Sequence, residues 1–217
     1  LLAYLDAEKY GVWLTIASII MWVTHFDLGL GHGLRNKFAE ALAKNDKSRA
    51  LGLTSTAYVS MTVIVLVFLA LLMPLTFLLD WNHILNVQSI SVIELKNTVA
   101  LVLGMFLIRF VLRLVSTILK ADQRPAVSDA FLPVANLLSL LTIILIRYFI
   151  EDSLFWASAA MAIPPVLILF VANLYFFLKD YRKYTPKIKH YKRIYLKDIY
   201  SLGIKFFFNQ MLGLIIF

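Results

Sequence analysis

Cysteine is absent from the 217 residues, which removes disulfide frameworks, thiolate nucleophiles and cysteine-ligated metals from the outset. Acidic residues are few: 13 Asp and Glu stand against 21 Lys and Arg, and charged residues of both signs make up only 16%. No stretch is polar enough and long enough to form a soluble domain. His25 and His32 lie seven apart with no further ligand beside them, and read as interfacial or packing residues. Asp80, His83, Glu94, Glu151 and Asp152 are scattered over short loops with no acidic metal motif. General acid–base or metal-assisted chemistry needs such groups to converge, so no catalytic residue, metal or cofactor is expected. What remains is apolar: 61% of the residues are hydrophobic and the mean hydropathy is +0.80. An all-α, polytopic membrane helix bundle follows.

About seven spans can be read in order. Leu1 to Leu5 reads as the tail of a first, incomplete helix, and Tyr10 to about Leu34 as the second. Residues 35–49 are polar and basic, with Leu34, Phe38, Ala41 and Leu42 spaced for an amphipathic surface helix. The third span is Ala50–Leu79, with Pro74 inside it; a loop covers Asp80–Asn97, and the fourth span is Val99–Leu119. Val127–Ile150, Ser153–Leu178 and Ile199 onward complete the series. With an apolar start at Leu1 and an apolar end, we expect a fragment of a longer chain. Loops 35–49, 120–124 and 179–197 hold five, two and eight of the 21 lysines and arginines. The alternate loops hold Lys9, Lys96 and Arg147, so the positive-inside rule makes the basic loops cytoplasmic. Trp13, Trp81 and Trp156 then fall at the outer interface as an aromatic belt. The net charge of +8 is accounted for by these loops, so no nucleic-acid partner is implied. The tyrosine-studded run from Lys179 to Lys197 reads as a linker lying on anionic membrane lipid.

The fourth span carries Arg109 at its centre and Arg113 one turn later. Its 21 residues give roughly 31 Å of helix, enough to cross the hydrocarbon core. An arginine at that depth costs about 3 kcal/mol on insertion scales, and such residues face bundle interiors or wet cavities and mark pathways. Thr98, Val102, Met105, Arg109, Arg113, Ser116 and Lys120 share one side of this helix. Three readings compete: a ligand-binding face, arginines snorkelling to headgroups, and an ion pair with a deep carboxylate, for which Asp27 is the best candidate.

The second helix carries distinctive text: Tyr10-Gly11, Trp13, Ser18-Ile19 and Trp22, then Asp27-Leu-Gly29-Leu-Gly31-His-Gly33-Leu-Arg-Asn-Lys37. It lacks both the preceding strand and the spacing of a nucleotide-phosphate loop. Three alternating glycines allow either close helix contact or local unwinding near the cytoplasmic mouth. With Tyr200-Ser-Leu-Gly203-Ile-Lys205 after the basic loop, this text resembles the lipid-linked oligosaccharide flippases of O-antigen and capsule synthesis. These belong to the multidrug/oligosaccharidyl-lipid/polysaccharide exporter superfamily.

The resemblance implies a two-lobe transporter in a bacterial cytoplasmic membrane. Residues 1–178 would be most of its first six-helix lobe, 179–198 a basic cytoplasmic linker, and 199–217 the start of the second lobe. It further implies export of an undecaprenyl-diphosphate-linked oligosaccharide by alternating access, as a monomeric transporter, with H+ or Na+ as a coupling ion. On the residues themselves, Arg109, Arg113, Asn136 and Lys205 are the substrate-binding candidates. Asp27, Gly29, Gly31, Gly33, Pro164 and Pro165 are the coupling or gating candidates. Asn136 and Asn173 could meet sugar hydroxyls or bond between helices, and the two prolines could serve gating or shape alone. Two alternatives stand beside this reading: a multidrug cation antiporter of the same superfamily, which should place carboxylates in its cavity, and a membrane enzyme such as an O-antigen polymerase.

Overall fold

A computed structural model describes residues 4–24, 30–150 and 152–201. Its helices, in order, are α1 (Ala7–Thr24), α2 (Leu30–Ala43), α3 (Lys47–Leu78), α4 (Trp81–Leu85), α5 (Val92–Leu112), α6 (Leu114–Ala121), α7 (Pro125–Ile146) and α8 (Leu154–Leu178). Two 3₁₀ turns follow, and residues 193–201 are helical. No strand occurs among the described residues.

Four stretches are long and apolar enough to cross a bilayer: Lys47–Leu78, Val92–Ala121, Pro125–Ile146 and Leu154–Leu178. They correspond to the expected third to sixth spans. The expected first, second and seventh spans run into residues outside the described set. Leu66, Val67, Leu71 and Leu75 of α3 and Leu137, Leu141, Ile144 and Leu145 of α7 are exposed. Rows of exposed branched side chains on long helices are surfaces for lipid. The chain is a multi-pass membrane protein.

Three boundaries differ from the sequence reading. Gly31, Gly33 and Leu34 belong to α2 rather than to the second span, and the surface helix therefore begins at Leu30. Its apolar stripe is the expected one, with Leu34, Phe38 and Ala41 fully buried. The fourth span begins at Val92 instead of Val99, because Ser91 caps it: the Ser91 hydroxyl accepts from the Glu94 N–H at 3.2 Å. It is also interrupted at Arg113. The tyrosine-rich linker is tied to α3: Ser55 Oγ accepts from Lys187 N at 3.1 Å, and Thr56 Oγ1 accepts from Lys192 N at 3.1 Å.

The chain divides into two compact units. One comprises residues 1–23, 65–109 and 131–168. Leu5, Val12, Val87, Ile90, Leu95, Leu154 and Ala157 form its core cluster, with Trp13 and Trp81 packed against it. Its carboxylates bind the chain together. Glu8 accepts from the Gln88 N–H at 2.9 Å, and these bonds to Ser89 and Gln88 hold its carboxyl below the ordinary range. Asp152 pairs with Lys9. Glu94 accepts from Ser153 Oγ at 3.0 Å and from Phe155 N at 3.3 Å. Asp80 caps α4 through His83 N.

The second unit comprises residues 24–64, 110–130 and 169–217, and it holds all three basic loops. In it α2 packs on α6. Gly33 lies against the backbone of Ile199, so closely that a Cβ there would overlap the Ile199 carbonyl. Gly52 likewise admits the ring of Tyr195, and the Phe38 ring meets Tyr184 edge-on at 5.5 Å. Gly33→Ala is expected to destabilise the protein by about 2 kcal/mol, since the obstacle is backbone and cannot rotate away; denaturant titration of the purified protein measures this, and an unchanged midpoint would refute it.

Orientation is testable directly. Cysteine placed at exposed positions 44, 83 and 187 in intact cells should react with an impermeant maleimide only at 83. Labelling at 44 or 187 would reverse the map.

Candidate functional site: a cationic cleft between α2 and α6

The site begins with the interruption of the arginine-bearing span. Arg113 keeps helical angles (φ −64°, ψ −17°), but the hydrogen-bond pattern tightens around it. Ser116 N–H donates to the Arg113 carbonyl at 3.0 Å, and Thr117 N–H donates to the same oxygen at 3.4 Å. This single 3₁₀ step leaves the Leu112 carbonyl without its usual donor. Asn173 of α8 supplies one, donating Nδ2–H to Leu112 O at 2.8 Å and to Leu169 O at 2.7 Å. Its amide oxygen accepts from Tyr58 OH at 2.7 Å. Asn173 and Tyr58 are both buried, so every polar atom of this junction is matched, as burial requires. Of the two roles open to Asn173 in the sequence, the interhelical one is what it performs here.

Beyond the break, α6 presents Arg113, Ser116, Thr117 and Lys120 to a cleft of about 120 Å³, and α2 contributes Gly31, His32 and Arg35. The α6 residues are spaced i, i+3, i+4, i+7, one stripe of a helix. Arg35 and Arg113 are exposed, and neither pairs with a described carboxylate. Lys120 Nζ lies 2.8 Å from Asp129 Oδ1 of α7. The Glu40 carboxylate of α2 meets Lys44 at 2.8 Å, Lys37 at 3.3 Å and Arg49 of α3 at 3.5 Å. Hydrogen bonds from Lys44 and Lys37 hold the Glu40 carboxyl down to about 2.

The candidates named from sequence fall as follows. Arg113 and Gly31 line the cleft. Arg109 is half-buried in the last turn of α5 and engages other groups of the protein. Asn136 is exposed on α7, and Pro164 and Pro165 are buried within α8, which runs through both. Gly33 makes the close approach to Ile199. Asp27, Gly29 and Lys205 lie outside the described residues. Arg35, His32 and Thr117 were not singled out for this role. Thr117 was legible from its i+4 spacing to Arg113, whereas Arg35 and His32 join the cleft only through the packing of α2 on α6. No three His, Asp or Glu side chains among the described residues converge as a metal site.

No family model and no curated protein matches the chain. Its fold is similar to that of a solved multidrug-resistance MATE family transporter of the MOP superfamily, captured in an inward-facing conformation. The TM-score is 0.74 at 15% identity, over 94% of this chain and 46% of the transporter. The chain thus spans about half the length of that protein, and its architecture is that of one lobe.

Proposed function

We propose that the chain is most of one lobe of an exporter that carries a lipid-linked oligosaccharide out across a bacterial cytoplasmic membrane. The observation that carries this reading is the sign of charge inside the spans. Within Lys47–Leu78, Val92–Ala121, Pro125–Ile146 and Leu154–Leu178, the charged residues away from the helix ends are Arg109 and Arg113. The carboxylate of Glu94 sits in the first turn of α5, and Asp129 lies just past the first turn of α7. An interior of this sign suits an anion, and guanidinium offers phosphate a permanent charge and forked donors. A lipid-linked sugar presents a diphosphate between a polar glycan and a tail that stays in lipid, so the protein shelters only the first two. Arg109 and Arg113 hold the diphosphate while the lobes rock. Asn136 and Lys205 contact the glycan, and Asp27 accepts the coupling H+ or Na+. Gly29, Gly31, Gly33, Pro164 and Pro165 shape the moving elements.

The fold shared with a multidrug transporter gives a second reading, extrusion of organic cations, which two interior arginines oppose electrostatically. Deleting the gene and assaying both activities separates the two. Lipid-linked oligosaccharide retained on the cytoplasmic side, with unchanged efflux of a lipophilic cation, is the expected result. Normal oligosaccharide export with lost cation efflux would replace the first reading by the second.

A further inference from the structure

We infer that the cleft between α2 and α6, which includes Arg113, is a recognition site for a phosphate headgroup. Three cations, Arg35, Arg113 and Lys120, converge on it, the last of them paired with Asp129, and no carboxylate belongs to its lining among the described residues. The two hydroxyls carry the argument further. Several helical threonines of this protein spend the hydroxyl on the carbonyl four residues back, among them Thr54 on Ala50 at 3.0 Å, Thr76 on Leu72 at 2.9 Å, Thr98 on Glu94 at 2.7 Å and Thr142 on Leu138 at 2.8 Å, while Thr56 spends its own on the Lys192 backbone.

At the cleft that outlet is occupied. The carbonyl four before Thr117 is that of Arg113, which already takes two backbone N–H groups. The carbonyl four before Ser116 is that of Leu112, which takes the Asn173 amide. Ser116 and Thr117 accordingly make no side-chain hydrogen bond among the described residues, and both hydroxyls remain as donors into the cleft. Two hydroxyl donors between permanently charged guanidinium groups form an anion cradle. The volume of about 120 Å³ lies well below the ~300–1,000 Å³ of pockets that enclose drug-sized ligands. The cleft is therefore of a size for a phosphate group.

Two sources share this chemistry: the diphosphate of the exported lipid, an assignment that rests on the proposed function, and the headgroup of an anionic phospholipid. The test uses the full-length protein in phosphatidylcholine nanodiscs, titrated calorimetrically with inorganic pyrophosphate, with and without phosphatidylglycerol in the disc. Pyrophosphate should bind, and Arg35→Gln or Arg113→Gln should each weaken it about tenfold, the scale of a charge-assisted hydrogen bond. Both side chains are exposed, so the variants should keep the wild-type unfolding midpoint. The double variant Ser116→Ala/Thr117→Val, which removes no charge, should weaken binding at least threefold. Phosphatidylglycerol that leaves the pyrophosphate isotherm unchanged assigns the site to a diphosphate; phosphatidylglycerol that abolishes it assigns the site to bulk lipid.

Absence of pyrophosphate binding by the wild type, or equal affinity in all three variants, would overturn the site. Binding lost in the variants of a protein that exports no lipid-linked sugar would keep the site and remove the proposed function instead.

Discussion

Arg109→Ala should abolish most export of lipid-linked oligosaccharide, a loss of about 10- to 100-fold if one charge-assisted hydrogen bond to phosphate is removed. Arg109→Lys should retain part of the activity, because the ammonium supplies charge without the fork. Arg109 is half-buried in the last turn of α5 and already engages other groups, so the substitution has a structural rival with a different signature. If the arginine chiefly balances a buried carboxylate, its removal strands that charge and lowers the amount of folded protein in the membrane. Adding Asp27→Asn should then restore abundance. The measurement is retained lipid-linked oligosaccharide together with membrane abundance for each variant. Full export by a normally abundant Arg109→Ala protein would end the substrate-binding role. Low abundance rescued by Asp27→Asn would give Arg109 to structure.

Asn173→Leu should destabilise the protein by about 3 kcal/mol. Leucine matches the amide in shape but leaves the Leu112 carbonyl and the Tyr58 hydroxyl buried without the partners now at 2.8 and 2.7 Å. Each orphaned buried group costs about 1–3 kcal/mol, and interhelical bonds in membranes average nearer 0.6 kcal/mol, which sets the lower bound. The change should also reach the cleft. With Leu112 O released, the Ser116 hydroxyl regains its acceptor four residues back and turns away, so pyrophosphate affinity should fall even in the surviving folded fraction. Asn173→Asp, which can still accept from Tyr58 but cannot donate to Leu112, should show the same loss of affinity. Unchanged stability and affinity in both variants would remove Asn173 from this role.

The transmembrane architecture was legible in sequence because its signals are local. Hydropathy marked the four long spans, and the stripe Leu34, Phe38, Ala41 marked the buried face of α2. Boundaries set by distant partners were not. Nothing in Val111-Leu112-Arg113-Leu114 breaks a helix, since there is no proline or glycine; the break depends on an asparagine about 60 residues away whose amide takes the released carbonyl. The glycines of α2 misled for another reason. Having no side chain, Gly31 and Gly33 carry no amphipathic signal and read as part of the apolar run before them. The cleft was half visible: Arg113, Ser116 and Lys120 shared a face on paper, and Arg35 could be added only by knowing what α2 rests on.

Glu40 has a consequence for how an anion meets this surface. With three cations within 3.5 Å and a carboxyl held down to about 2, it stays ionised at any cellular pH. One carboxylate shared among Lys37, Lys44 and Arg49 orders these cations but leaves them net positive, so the positive potential of the basic surface runs on past Arg35. At physiological ionic strength, potentials decay over about 8 Å. A phosphate drifting through the headgroup layer is thus attracted along the whole basic face that leads to the cleft, so raising salt should slow its capture before it loosens its hold.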